Sequence, residues 1–143
     1  MKISIGNDHA GTSFKLNIIS VFQEKGIIFI NEGTDSEESV DYPDFAHKVA
    51  RNVADEKSDF GILLCGSANG VAMSANKHKD IRAAICWNEE IASLARLHND
   101  ANILCIPARY MSFSEVEKTV SAFIETSFEA GRHKKRVDKI SCF

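Results

Sequence analysis

The chain has no run of about 18 apolar residues, no CxxC pair and no surplus of basic side chains. Each absence removes a class of protein. Without such a run, no segment reads as a membrane-spanning helix. The opening MKISIGNDHA carries one lysine and turns polar at Asn7, so it lacks the apolar core of a signal peptide. A cytoplasmic location is the expectation. The cysteines, Cys65, Cys86, Cys105 and Cys142, are widely spaced, and free thiols in a reducing compartment are expected rather than a disulfide framework. Lysine and arginine number 17 against 20 acidic residues, for a net charge of -3. That balance argues against nucleic acid as a partner, because phosphate-backbone binding calls for a basic face. There are only 2 prolines, and no linker, repeat or low-complexity stretch is visible.

What is present is an ordinary globular composition, 44% hydrophobic and 26% charged over 143 residues. That length suits one domain, able to bury about two thirds of its unfolded surface without disulfide or metal. Short apolar runs alternate with amphipathic segments. Strands are expected at Ile3–Ile5, Ile27–Ile30, Phe60–Cys65, Ala83–Cys86 and Asn102–Ile106. The second is β-branched and apolar on both faces, as in a parallel sheet covered by helices on each side. Helices are expected between them. Phe14, Ile18, Val21 and Phe22 recur at helical spacing before a stop at Gly26. Pro43 suits the first turn of a helix that turns Phe45, Val49 and Val53 to one face. Further helices are expected over 71–77, over 89–98 and after Ser114, read as an N-cap for a stripe of Val116, Val120 and Ile124. The acidic stretch 32–41 reads as a loop.

Repeated β-α units with short connections predict an α/β fold: a single-domain, doubly wound, Rossmann-like three-layer sandwich on a five-stranded parallel sheet. Such sheets bind ligands at the carboxyl ends of their strands. Several polar groups are expected there: Asp8 and His9 after the first strand, Cys65 to Gly70 after the third, and His98 beside Asn99 at a further strand-end loop. Cys65 runs into a glycine-containing turn whose N–H groups favour negative charge. That setting would lower the thiol pKa and make a base or nucleophile; the alternative is an inert buried cysteine, as expected of Cys86 and Cys105. The anion met by the turn is either a phosphate or an enediolate. The turn is neither a Walker loop nor a dinucleotide fingerprint. Asp8, His9, Cys65 and His98 could converge on a metal, but no pair has zinc-ligand spacing, and no metal is expected. The basic segment from Gly131 does not read as core. If it is helical, Arg132 and Arg136 share one face and can grip one phosphate; otherwise it is a solvated tail.

The motifs Asn-Asp-His-Ala-Gly at 7–11, Asp-Tyr-Pro at 41–43, Cys-Gly-Ser-Ala-Asn-Gly at 65–70, Ala-Asn-Lys at 75–77, His-Asn-Asp-Ala-Asn at 98–102 and Gly-Arg-His-x-x-Arg-Val at 131–137 occur in order. Together they resemble type B ribose-5-phosphate isomerases, whose wider family includes the galactose-6-phosphate isomerase subunits. The resemblance implies interconversion of ribose 5-phosphate and ribulose 5-phosphate, with no metal or organic cofactor. It also implies a homodimer, or dimer of dimers, with shared active sites. It makes Cys65 the base that moves a proton between C1 and C2, with Ser67 beside it, and gives His98 the opening of the furanose ring. It places Asp8, His9 and Tyr42 at the sugar. The backbone of Gly66, Ser67, Ala68, Asn69 and Gly70 holds the enediolate. Asn99, Arg109, Arg132 and Arg136 bind substrate, with His133 a weaker candidate. The segment from about 129 thereby contributes to the site of a single 1–143 domain. Val71 cannot replace Cys65 as the glutamate of some relatives does. Ala68 stands where many relatives have glycine, at a cost if that backbone needs positive φ. Two other readings are a six-carbon sugar-phosphate isomerase (allose or galactose 6-phosphate) and a non-catalytic sugar-phosphate-binding module.

Overall fold

The computed structural model describes residues 1–140; Cys142 lies outside the described residues. Five strands form one parallel sheet: β1 (Lys2–Asn7), β2 (Ile28–Asn31), β3 (Phe60–Cys65), β4 (Ala83–Ile85) and β5 (Ile103–Pro107). Their spatial order is β2-β1-β3-β5-β4. Among the described residues, six α-helices accompany them: α1 (Thr12–Gln23), α2 (Tyr42–Ala54), α3 (Asn69–Ala75), α4 (Glu89–Asn99), α5 (Phe113–Glu125) and α6 (Gly131–Val137). One layer of core joins α1, α4 and α5 to Ile3, Ile5, Ile62, Leu64, Leu104 and Ile106. The other joins α2 and α3 to Leu63, Ile103 and Cys105. The alternation of strand residues between these layers is the pleat of a sheet covered on both sides.

The chain reverses direction across the sheet at β1. It passes outward to β2, then returns to the other flank of β1 as β3. This switch point puts the carboxyl ends of β1 and β3 side by side, with Asn7 in register with Leu64 and Asp8 N–H donating to the Leu64 carbonyl at 3.2 Å. A crevice outside these two ends is where such a sheet takes ligands.

Several expectations need correction. β2 is an edge strand, and Ile28 is exposed, so its apolar run reflects β-propensity rather than burial on two faces. The buried stripe of α1 is Thr12, Lys15, Ile18 and Phe22; Phe14 sits half-buried, stacked on Phe113 at 4.4 Å. In α2 the inward face is Ala46, Val49, Ala50 and Val53, with Phe45 displaced to its margin. Ser112, not Ser114, caps α5. Its Oγ accepts from Glu115 N–H while the Glu115 carboxylate accepts from Ser112 N–H, a reciprocal pair that Ser114 cannot form from inside the first turn. The basic segment is helical as α6 and is partly core: His133 is 4% exposed.

Candidate active site

β1 delivers Asp8 and β3 delivers Cys65 to the switch point. The Asp8 carboxylate turns back on its own chain, Oδ1 accepting from Ala10 N–H at 2.9 Å. This fixes the rotamer and leaves Oδ2 to accept the Cys65 S–H at 2.9 Å. The two groups open onto a cavity of about 260 Å³, bordered also by His9, Gly66, Ser67, Arg109 and Tyr110. His9 is held by Val40 N–H, which donates to Nδ1 at 3.4 Å. Arg109 follows β5 and lies across Gly66, where a Cβ would stand 3.2 Å from its guanidinium carbon. The cavity therefore has a thiol, a carboxylate, an imidazole, a hydroxyl and a guanidinium on its walls.

The turn after Cys65 matters through its amides. The Gly66 and Ala68 amides favour negative charge on the Cys65 sulfur. Ala68 reaches this geometry at φ 64, the left-handed region that costs a residue with a Cβ about 1 kcal/mol. The condition attached to this alanine in the sequence is thus met, and the strain is real. Asn69 opens α3 and its side chain donates to Ser67 Oγ at 3.2 Å, turned toward a neighbouring groove with Met73 rather than into the cavity. Gly70 is a seat for Tyr42, because a Cβ there would fall 2.4 Å from the ring.

The amide-rich turn does not lower the thiol pKa as expected. The Cys65 thiol is pushed up to about 11, first by burial, then by the hydrogen bond to Asp8 and by its negative charge; the Gly66 and Ala68 amides pull the other way and lose. Cys86 and Cys105 are buried, and burial raises both.

His98 is not at this cavity. The chain passes His98 before it enters β5, so the residue stands at the amino edge of the sheet, opposite Cys65. The expectation that it shares the carboxyl side with His9 fails for a topological reason: a loop that precedes a parallel strand lies at the other edge from one that follows it. The four steps of β3 from Gly61 to Cys65 alone span about 13 Å. A joint metal site of Asp8, His9, Cys65 and His98 is therefore not assembled within one chain.

At the amino edge a second group of functional types collects. Asp100, at φ 46, ends α4 and is gripped by Arg82 at 2.9 Å and Arg96 at 3.0 Å, which fixes the corner carrying His98 and Asn99. The His98 ring stacks on His133 of α6, centroids 4.2 Å apart and planes at 11°. Glu129 Oε2 lies 3.9 Å from His98 Nε2 and 3.6 Å from His133 Nε2. Arg132 Nε donates to His133 Nε2 at 3.4 Å. Loss of water around the His133 ring, then the nearby His98, holds its pKa below the usual histidine value, so it stays a neutral acceptor for Arg132. Donor atoms of His98, Glu129 and His133 lie within 4.8 Å of one another. However, parallel rings send their lone pairs side by side instead of converging, and Arg132 already occupies one. Arg132 and Arg136 are exposed on α6, and Asn99 borders a separate cleft of about 360 Å³ with Arg82 and His78.

Two contributors were missed from the sequence. Lys15 is fully buried, donating to Asn31 Oδ1 at 3.1 Å, Thr34 carbonyl at 2.7 Å and Asp35 Oδ1 at 2.5 Å. It pins the loop after β2 beside Asn7, which donates to the Asp8 carbonyl at 2.8 Å. The available signal was a lysine three residues before Ile18 and seven before Phe22, on the buried stripe. Glu129 gave no such signal, being one of many surface acids.

An open parallel sheet with a thiol, a carboxylate and a guanidinium around a cavity at its switch point is the architecture of an α/β enzyme with a small-molecule site. Comparison with known proteins is specific. The chain belongs to the ribose/galactose isomerase family, whose model matches residues 3–140. It is 39% identical over 140 residues to ribose-5-phosphate isomerase B of Escherichia coli (strain K12), covering 98% of this chain and 94% of that one. Its structure is similar to that of a ribose 5-phosphate isomerase from Thermotoga maritima, at 44% identity and a TM-score of 0.97, covering 99% and 98% of the two chains. It is also similar to ribose-5-phosphate isomerase B from Mycoplasma genitalium with bound ribulose-5-phosphate, at 41% identity and a TM-score of 0.93, covering 97% and 93%.

Proposed function

We propose that this chain interconverts ribose 5-phosphate and ribulose 5-phosphate, with Cys65 moving the proton between C2 and C1. The observation that carries the mechanism is a Cys65 sulfur that faces a 260 Å³ cavity and shares it with Ser67 and Arg109. In the aldose-to-ketose direction, the Cys65 thiolate takes the proton from C2. The C2–H pair becomes the C1–C2 double bond, and the carbonyl pair moves to O1. Turn amides stabilise the resulting enediolate; such preorganised donors are worth about 10²–10³-fold. Return of the proton from sulfur to C1 gives the ketose, while the Ser67 hydroxyl carries the O2 proton to O1. No metal or organic cofactor is needed. Asp8, His9 and Tyr42 bind the sugar, and Arg109 meets its polar end.

His98, Asn99, Arg132 and Arg136 complete the site from a second copy. Their position at the opposite edge of the sheet supports a homodimer whose two sites each draw on both subunits. In that arrangement the segment from about 129 belongs to the partner's pocket, the arginines gripping the phosphate and His98 opening the furanose ring. The reaction belongs in the cytoplasm, where a thiol such as Cys65 stays reduced.

The test is turnover of ribose 5-phosphate in the presence of a chelator. Cys65→Ala is expected to remove activity and leave the fold intact; full activity in this variant overturns the base. Arg136→Ala is expected chiefly to raise KM. Comparing kcat/KM for five- and six-carbon sugar phosphates sets the chain length of the substrate.

A further inference from the structure

We propose that Asp8 is the proton acceptor that turns the Cys65 thiol into the reacting thiolate, one proton being shared between them through the catalytic cycle. The inference deepens the isomerase reading and rests on it.

Three observations carry it. The Cys65 S–H points at Asp8 Oδ2 over 2.9 Å, so the proton has a direct path. Asp8 is 5% exposed and makes no ion pair among the described residues; its charge is met by Ala10 N–H on one oxygen and by the thiol on the other. Finally, the Gly66 and Ala68 amides of the turn favour negative charge on the sulfur. With the proton on sulfur, the carboxylate has its donors. With the proton on Oδ2, the thiolate has the favourable turn amides nearby and gains the new O–H. Either state has its partners in place, and the pair carries the same charge in both.

The step balances simply. The S–H bond breaks and leaves its electron pair on sulfur, and an Oδ2–H bond forms. The thiolate then takes the substrate proton, and later gives it back at the neighbouring carbon. After release of product the proton on Oδ2 returns to sulfur. This resolves a conflict in the site. A thiol held protonated to about pH 11 is a poor base if it must first lose its proton to water. An acceptor inside the same hydrogen bond removes that requirement.

The pair has other titratable neighbours: His9 from the turn after β1, Arg109 and Tyr110 from the turn after β5, and Cys105 within β5. The test therefore uses both a variant and the unaltered protein. Asp8→Asn keeps the acceptor for Ala10 N–H but can take no proton. It is expected to lower kcat at least 100-fold, in line with loss of a positioned acid-base group, over and above any rise in KM for ribose 5-phosphate from the altered sugar contact. In the same variant, iodoacetamide should modify Cys65 faster at pH 8, read on the peptide that carries it, because the charge holding the thiol protonated is gone. Slower turnover with faster alkylation is a split that misfolding or loss of a sugar contact does not give. A kcat within threefold of the parent overturns the proposal, as does a rise in KM alone. Should Asp8→Asn not fold, the parent's pH profile decides. Internal transfer predicts kcat flat between pH 7 and 9; a tenfold rise per pH unit means that the proton leaves to solvent, and overturns the proposal. Parent turnover without these effects defeats this inference alone, whereas no parent turnover defeats the isomerase reading too.

Discussion

At the scale of single residues, the site depends on side chains that are absent as much as on those present. Gly70 lies inside α3, where alanine would be favoured by about 1 kcal/mol in helix propensity. A Cβ there would meet the Tyr42 ring at 2.4 Å, and Tyr42 is 39% exposed and free to swing out. The gain in the helix and the lost packing of the ring, about 1 kcal/mol, nearly cancel. Gly70→Ala is expected to leave Tm within about 4 °C of the parent, while KM for the sugar phosphate rises several-fold if the displaced Tyr42 ring makes the sugar contact proposed for it. A steep fall in Tm with KM unchanged would mean that Tyr42 is only a packing residue. Ala68 is the opposite case, a Cβ retained where the backbone disfavours it, at φ 64. Its methyl is fully buried among α2 and α3 residues, which offsets some of the strain.

At the scale of elements, the loop between β2 and α2 is held from beneath by α1. Lys15 spends a fully buried ammonium on Asn31 at the end of β2 and on Thr34 and Asp35 of that loop. Lys15→Met removes the charge and strands Asn31 and Thr34, a loss of about 2–4 kcal/mol. Asp35→Asn costs less, because that carboxylate is mostly exposed. The Lys15 hydrogen bond holds Asp35 below the usual carboxylate range. A depressed folded-state pKa contributes stability that is present above the unfolded value near pH 3.8 and is lost as pH falls through the folded one. Urea melts across pH 5 to 2 should therefore decline more steeply for the parent than for Asp35→Asn; parallel curves would remove Asp35 from the acid response.

The same element shows what could be read in advance. Strand β3 was legible to the residue, because Phe60–Cys65 is a continuous apolar run bounded by polar residues. Periodicity finds an apolar stripe, but it assigns the charged member of that stripe to solvent, and so Lys15 was overlooked. Burial of a lysine is decided by acceptors 16 to 20 residues away, which no local window contains. The cap of α5 lies two residues before Ser114, because only Ser112 has Glu115 at the reciprocal spacing. The side of the sheet on which His98 stands needed the direction of β5 and the position of its loop before that strand, which were present in the sequence. The pKa of Cys65 was not. It is set first by burial and then by Asp8, which lies 57 residues away in sequence, while the two local amides act against both.

At the scale of the molecule, chemistry is divided between two edges of one sheet. Cys65, Asp8 and Arg109 face outward from the carboxyl edge, and His98, Asn99 and α6 from the amino edge. A single subunit cannot fold one set onto the other, since both are fixed to the same rigid strands. In the proposed two-fold pairing, each site takes its sulfur from one subunit and its phosphate-binding arginines from the other. Co-expression of Cys65→Ala with Arg132→Ala/Arg136→Ala tests this directly. Each variant alone carries the same defect in both of its sites. About half of randomly paired dimers are mixed, and each mixed dimer has one site with both defects and one with neither. Activity should return to about a quarter of the parent's value, with the parent's KM. If each subunit holds a complete site of its own, the mixture stays as impaired as its components, and the paired architecture fails.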